Sequence, residues 1–402
     1  MTGPLAGVRV IDMCSVMMGP YATQMLGDLG ADVIKVESPE GDSTRKIGPM
    51  GGQKLGPLFL GLNRNKRSVV LDLKKPEGRA ALLKLAEAAD VLAYNVRPAA
   101  MQRLGLGYEA LAAVNPRLIY AGMFGFSQRG RYAPKPAFDD LIQAASALPL
   151  AVANTTGGIP RYVPFNVADR SVGLYAFGII ASALYARERT GIGQRVDVPM
   201  FETMVPHVMG DHLFGETFVP AKGGFGYPRL MSQERRPYAT SDGFVCCLIY
   251  HDRHWRAFLK VIGKPDLFDT DPRFATITTR TEHITELYGM VSDEMSRRST
   301  AEWAELLKDA DIPVFPMHTF ESLLQDEHLG DIGFFGETDH PIAGRIRTMA
   351  VPSEWFGTPP SNMTHAPALG QHSAEVLTEA GYSKSEIDDL LKAGVTAASG
   401  PR

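Results

Sequence analysis

"GVRVIDMCSVMMGPYATQMLGDLGADVIKVE" (residues 7–37) decides the fold. It opens with "GVRVIDM" (7–13), a short apolar run of strand length. "GPYATQMLGDLG" (19–30) follows, with Pro20 in its first turn and Gly30 at its end, the asymmetry that marks a helix. "ADVIKVE" (31–37) then returns to an apolar strand pattern. Strand, helix, strand predicts a βαβ unit with parallel strands and a right-handed crossover.

The alternation continues outward. "SVVLDL" (68–73) predicts a strand, "PEGRAALLKLAEAA" (76–89) a helix and "DVLAYNV" (90–96) a strand. Two short helices and the strand "RLIYAGMFGF" (117–126) follow. Ligands sit beyond the carboxyl ends of strands in such sheets. A site is therefore expected after Met13, Glu37, Leu73, Val96 and Phe126. Next come a helix over 138–148, the loop "ANTTGGIP" (153–160), and a helix over 167–188. The last is rich in Ala, Gly and Leu, which permits close approach of a neighbouring backbone. "TGIGQRVDVPM" (190–200) stops it at Gly191 and starts a strand, and a further helix is expected over 201–214.

The composition changes at 216–237, where Gly, Pro and charge predict a linker or loop. Residues 238–325 predict a smaller α/β domain, with the strand "GFVCCLIY", the helix "DRHWRAFLKVIG" and a helical pair. Residues 326–402 hold the strand "RIRTMAVP", a Pro-rich connector, a final helix "SAEVLTEAG" and a tail "TAASGPR" expected to fray. The large domain is thus placed at 1–215.

A chain of 402 residues exceeds one ordinary core, which fits this division. With 45% hydrophobic and 21% charged residues it has the make-up of a soluble enzyme. A net charge of -4 offers no bulk attraction to nucleic acid or an anionic membrane. The cysteines are Cys14 and the adjacent pair Cys246 and Cys247, which fits a reducing compartment and no disulfide framework. No apolar run of membrane-spanning length stands out, and the first residues lack a basic-then-apolar leader pattern. A cytoplasmic protein is expected.

Asp169 stands at the mouth of the helix over 167–188, with Asn166 placed to cap it. Two readings are open. It is a first-turn acid that complements the helix N-terminus, or a nucleophilic carboxylate kept ionised by that terminus. Dinucleotide, P-loop and nucleophile-elbow glycine motifs are all missing from their required contexts. His207, Asp211, His212, His251 and His254 do not reach metal-ligand number and spacing, so no metal is expected. "NRNKRSVVLDLKK" (63–75) carries Arg64, Lys66 and Arg67 before a strand and Lys74 and Lys75 after it. "NVRPAAMQR" (95–103) adds Arg97 and Arg103. Such a cluster at strand ends suits a phosphate-bearing ligand, or a solvated basic loop.

Taken together, "PLAGVRVIDM", "GPYATQMLGDLGADVIKVESPEGD", "NRNKRSVVLDLKKPEGR", "NVRPAAMQRLGL" and "NPRLIYAGMFGF" resemble the class III coenzyme A transferases, the family of formyl-CoA and carnitine CoA-transferases. The resemblance continues through "VADRSVGLYAFGIIASALYARERTGIGQRVDVPMFE", "IPVFPMHTFESLLQDEHL" and "HAPALGQHSAEVLTEAGYSKSEIDDLL", nearly the whole chain in order. It implies that Asp169 is the nucleophile, forming an aspartyl-acyl mixed anhydride and then an aspartyl-CoA thioester. It implies that coenzyme A or acyl-CoA lies along Val16, Met17, Met18, Leu71, Lys74, Asn95, Val96 and Arg103. Formyl-CoA transferase has Gln in place of Met17, Arg in place of Ser38 and Lys in place of Pro136, so Arg45, Arg97 or Lys135 is expected to take over phosphate contacts. Its tetraglycine lid has only a loose counterpart in "KGGFGYP" (222–228). Arg161, Arg170 and Arg229 are candidates to orient a second carboxylate of the acceptor acid.

The implied fold is α/β, a Rossmann-like large domain with a parallel sheet, rejoined by the C-terminal segment, plus a smaller α/β domain. The implied assembly is an interlocked-ring homodimer. The implied partners are an acyl-CoA donor such as succinyl-CoA and a carboxylic acid acceptor, with no metal, nucleic acid or membrane. Two alternatives remain. A 2-methylacyl-CoA racemase would need a second base, and Phe138 of "AFDDL" stands where that family has His. A non-catalytic CoA-binding protein would make Asp169 dispensable.

Overall fold

The structure is a computed structural model that describes residues 2–52, 55–360 and 363–398. Its centre is the parallel sheet. Strands β1 (Arg9–Met13), β2 (Asp32–Glu37), β3 (Lys66–Val70), β4 (Val91–Tyr94), β5 (Ile119–Phe124) and β6 (Arg195–Pro199) lie in the order β3-β2-β1-β4-β5-β6. All five pairings are parallel. β4 and β5 are buried at every position, as strands covered on both faces must be. The strand order reverses between β1 and β4, the switch point where open α/β sheets hold ligands.

Three helices position the site: α1 (Met18–Asp28), α2 (Asp139–Ala145) and α3 (Val167–Thr190). α3 packs along α1, and its small residues let the backbones meet. A Cβ on Gly173 would lie 2.8 Å from the carbonyl oxygen of Met18. α3 ends at Gly191, whose φ of 74° is left-handed and suits glycine. Among the described residues α3 is also long and apolar enough to cross a membrane, with mean hydropathy 1.3, which corrects the expectation that no such run exists. In this structure its Val172, Gly173, Ala176 and Ile180 are buried.

The chain divides into two compact units. The first comprises Met1–Ser146, Pro164–Met204 and Gly330–Arg402, and the second Ala147–Val163 and Val205–Leu329. In the first, Ile34, Val69 and Leu92 of the sheet share a core with Leu82, Val376 and Leu390 from later helices. The C-terminal chain is tied to β3: the Thr396 hydroxyl donates to the Val70 carbonyl (2.7 Å). The second unit has its own core around Trp255, Phe258, Tyr288 and Trp303. Its sheet is three short antiparallel strands, Tyr238–Ala239, Phe244–Cys247 and Val314–Pro316.

Several expectations change. β3 starts at Lys66, not Ser68, because Lys66 is buried in an ion pair with Asp12 and Arg67 is paired with Asp32, which an apolar pattern cannot reveal. The loop expected from 153 is helical up to Thr156, within Leu148–Thr156. That segment and residues 216–237 fall in the second unit. "RIRTMAVP" has a partner that the pattern missed: Gly344–Met349 pairs antiparallel with Phe335–His340. "SAEVLTEAG" is not the final helix. Lys384–Lys392 follows, opened by a capping box between Ser383 and Glu386. Of the tail, residues 399–402 lie outside the described residues.

Candidate active site

The site is built at the switch point. β1 carries Asp12, which is wholly buried and ion-paired with Lys66 (2.9 Å). Burial alone would raise its pKa; Lys66 and Lys35 override that and hold it at about 2. Lys35 is paired in turn with Asp42 (3.0 Å), and Glu37 with Arg45 (2.7 Å), all buried. This layer of charge lies beneath the loop that leaves β1.

Asp169 sits in the first turn of α3. Asn166 occupies the capping position, but its side chain does not cap; its amide donates to the sulfur of Met17 instead. A different residue serves the helix mouth. The Asp169 N–H donates to Oδ1 of Asp139 on α2 (2.9 Å), and Asp139 is oriented by a hydrogen bond from Gln143 (2.6 Å). Burial and the neighbouring Asp139 carboxylate push the Asp169 pKa up to about 7, with Arg170 opposing. The expectation that the helix terminus keeps this carboxylate fully ionised is therefore corrected: desolvation and a like charge outweigh it.

Two cavities open at this end of the sheet. One, of about 230 Å³, is lined by Asp169 with Val16, Met17, Met18, Asn95, Arg97, Lys135 and Phe138. The other, of about 600 Å³, is lined by Leu71, Lys74, Val96 and Arg103 with Ser38 and Asp42. Ser15 lines both. The ten residues expected to contact coenzyme A are thus distributed around two adjoining cavities, six with Asp169 and four in the larger one. Lys74, Arg97 and Lys135 are exposed. Cations at such positions suit the phosphates of a nucleotide ligand.

Other candidates are placed elsewhere. Arg45 is committed to Glu37 and to the Pro367 carbonyl (3.0 Å), and stacks on Phe59, so it is not free for a phosphate. Arg64, Lys66 and Arg67 do not join the ligand edge. They lie at the start of β3, at the opposite edge, and pair with Asp28, Asp12 and Asp32. Lys75 donates to the carbonyls of Ala393 and Gly394. Arg170 lies over the Tyr21 ring (4.4 Å). Arg161 and Arg229 belong to the second unit, as does the segment 222–228, and Arg229 donates to the Tyr288 hydroxyl (3.0 Å). Among the described residues no group of three or more His, Cys, Asp or Glu could hold a metal ion.

The sequence profile of CoA-transferase family III matches residues 5–373. The chain belongs to the class III coenzyme A transferase family. It is an enzyme of the CoA-transferase type. It is 39% identical to the acetyl-CoA:oxalate CoA-transferase of Acetobacter aceti over 78% of this chain and 81% of that protein. It is 33% identical to the succinate–glutarate CoA-transferase of Agrobacterium fabrum, covering 94% and 95% of the two. Among solved structures, a CaiB/BaiF family protein from Brucella suis matches 94% of this chain and 100% of that chain, with TM-score 0.78 and 28% identity. For this class III transferase, the motif reading singled out Asp169 but not Asp139, which follows Phe138 directly and accepts from the Asp169 N–H. The adjacent acids of "FDDL" at a helix start were the available signal.

Proposed function

We propose that this enzyme moves coenzyme A from an acyl-CoA donor to a carboxylic acid acceptor, with Asp169 as nucleophile. The observation that carries the reading is a half-buried carboxylate that lines one cavity with Arg97 and Lys135, while the adjoining cavity presents Lys74 and Arg103. The Asp169 carboxylate attacks the donor thioester carbonyl; the C–S bond breaks, leaving a mixed anhydride and CoA thiolate. The thiolate attacks the Asp169 carbonyl of the anhydride, releasing the donor acid and forming an aspartyl-CoA thioester. The acceptor carboxylate then attacks this thioester, giving a second anhydride and the thiolate. Attack of the thiolate on the acceptor carbonyl yields the new acyl-CoA and restores the carboxylate. A carboxylate suits this role because the bonds exchanged are similar in energy, so both halves reverse.

Lys74, Arg97, Arg103 and Lys135 are the residues proposed to hold the phosphates of coenzyme A. Relatives named for transfer to oxalate and glutarate support a small dicarboxylic acid as acceptor and succinyl-CoA as a donor. Phe138, 67% exposed at the first cavity, offers no base for racemisation. The family reading carries with it an interlocked homodimer, and strongly exposed Phe320 and Phe356 are side chains a second copy would cover.

The test is to incubate the protein with succinyl-CoA or acetyl-CoA and a panel of carboxylic acids, and to follow new acyl-CoA species by mass spectrometry. Transfer that disappears in Asp169→Ala is expected. Undiminished transfer in that variant would make Asp169 a helix acid only. Exchange of the α-proton of a 2-methylacyl-CoA without any transfer would reverse the reading in favour of a racemase.

A further inference from the structure

The loop from β1 to α1 is held by side chains reaching in from elsewhere. The Cys14 N–H donates to Asp12 Oδ1 (2.9 Å), and the Cys14 carbonyl accepts from Lys35 Nζ (2.8 Å). The Ser15 N–H donates to Asn95 Oδ1 (3.0 Å), and Asn95 Nδ2 donates back to the Ser15 carbonyl (2.8 Å). The Val16 N–H is shared between the two carboxylate oxygens of Asp42 (3.3 and 3.2 Å). Val16 itself has φ 70°. That is the left-handed region, where a β-branched side chain clashes with its own backbone. Such a conformation persists only where its surroundings over-determine it, and it gathers at functional sites.

Asp42 is well fixed for this purpose. It is buried, accepts from Lys35 Nζ (3.0 Å), the Thr44 N–H (3.0 Å) and the Thr44 hydroxyl (2.8 Å), and its own N–H donates to Glu37 (3.0 Å). The loop it grips separates the two cavities, since Ser15 lines both. Beyond Val16, the sulfur of Met17 accepts from Asn166, three residues before Asp169. The strained residue therefore stands between a rigid buried carboxylate on one side and the mouth of α3 on the other.

We propose that Asp42 is a positioning residue for the transfer reaction, holding Val16 left-handed so that the Ser15–Met17 wall keeps its shape against Asp169. The inference rests on Asp169 being the nucleophile. Without its acceptor, Val16 relaxes to negative φ, and the peptide planes on either side of it turn. The wall then no longer places the thioester for attack, and small misplacements of a reacting group cost large factors in rate.

The experiment is a double-mutant cycle with Asp42→Ala, which removes both acceptor oxygens, and Val16→Gly, read as kcat and as KM for the acyl-CoA. Asp42→Ala is expected to lower kcat by about tenfold or more while KM changes by less than about threefold. In the Val16→Gly background the same substitution is expected to cost less than about threefold in kcat, because glycine takes φ 70° without a clash. Equal losses in both backgrounds, tracking an equal drop in thermal midpoint, would mean that Asp42 only stabilises the fold, and would overturn the inference. If Asp42→Ala does not yield folded protein, Asn95→Asp goes through the same cycle, since it keeps the acceptor for Ser15 N–H and loses the donor to its carbonyl. The same coupling is expected, and additive losses overturn the inference. A wild-type protein that transfers nothing would remove the nucleophile reading and this inference with it. A wild type whose transfer depends on Asp169, but whose cycle is additive, removes the inference alone.

Discussion

Asp169 sits where opposing effects meet. A helix N-terminus favours its charged form, whereas burial and the Asp139 carboxylate favour the protonated one, and the balance lies at about 7. Only the ionised form attacks. The kcat/KM for acyl-CoA is therefore expected to rise as pH increases through about 7, which a pH–rate profile of the free enzyme reads directly. Asp139→Asn removes the like charge yet keeps an oxygen for the Asp169 N–H. Its profile should shift to lower pH; a profile that stays in place would mean that Asp139 does not set this titration. The position of Asp169 was legible from the sequence, but its ionisation was not. Asp139 is thirty residues away in the chain and reaches the helix mouth only through the packing of α2 against α3.

At the scale of elements, the βαβ pattern placed the strands of the main sheet because apolar periodicity is local and β1 to β5 are buried along most of their length, while β6, buried only at Val198, was marked by the helix stop at Gly191 before it. It failed at the start of β3, where Lys66 and Arg67 replace apolar residues in ion pairs. The helix Lys384–Lys392 was legible in its Ser383-to-Glu386 capping box and was overlooked. The contact of α1 with α3 depends on Gly173. Gly173→Ala brings a methyl group to 2.8 Å from the Met18 carbonyl, so one helix must move. A loss of about 1–3 kcal/mol is expected in urea unfolding, by the usual cost of overpacking. Unchanged stability would show that the two helices separate freely. Because Met18 lines the cavity of Asp169, a fall in kcat should accompany the loss.

For the molecule as a whole, the charged layer under the switch point links stability to pH. Asp12 is held at about 2, and Glu37 and Asp42 are also kept below the usual carboxylate range by Lys35 and Arg45 against burial. Groups with depressed folded values contribute stability that is fully present above their unfolded values of about 4. It is lost as pH falls towards the folded ones. The urea midpoint should therefore drop steeply below about pH 4, and a flat profile down to pH 3 would contradict the pairing. Lys66→Met leaves Asp12 buried without its main partner and is expected to cost about 3–5 kcal/mol in the same assay. The amino-acid sequence by itself determined the alternation of strands and helices, the family, and the carboxylate at the mouth of α3, because these are written in neighbouring residues and in motif order. Only the tertiary structure decided which cations line a cavity and which are paired with acids. Lys74, Arg97 and Arg103 line the cavities, while Arg45, Arg64, Lys66 and Arg67 are taken up by acids. The reason is physical. A charge is neutralised by whatever lies within a few ångströms in space, and Asp12 and Lys66 are separated by fifty-four positions of chain.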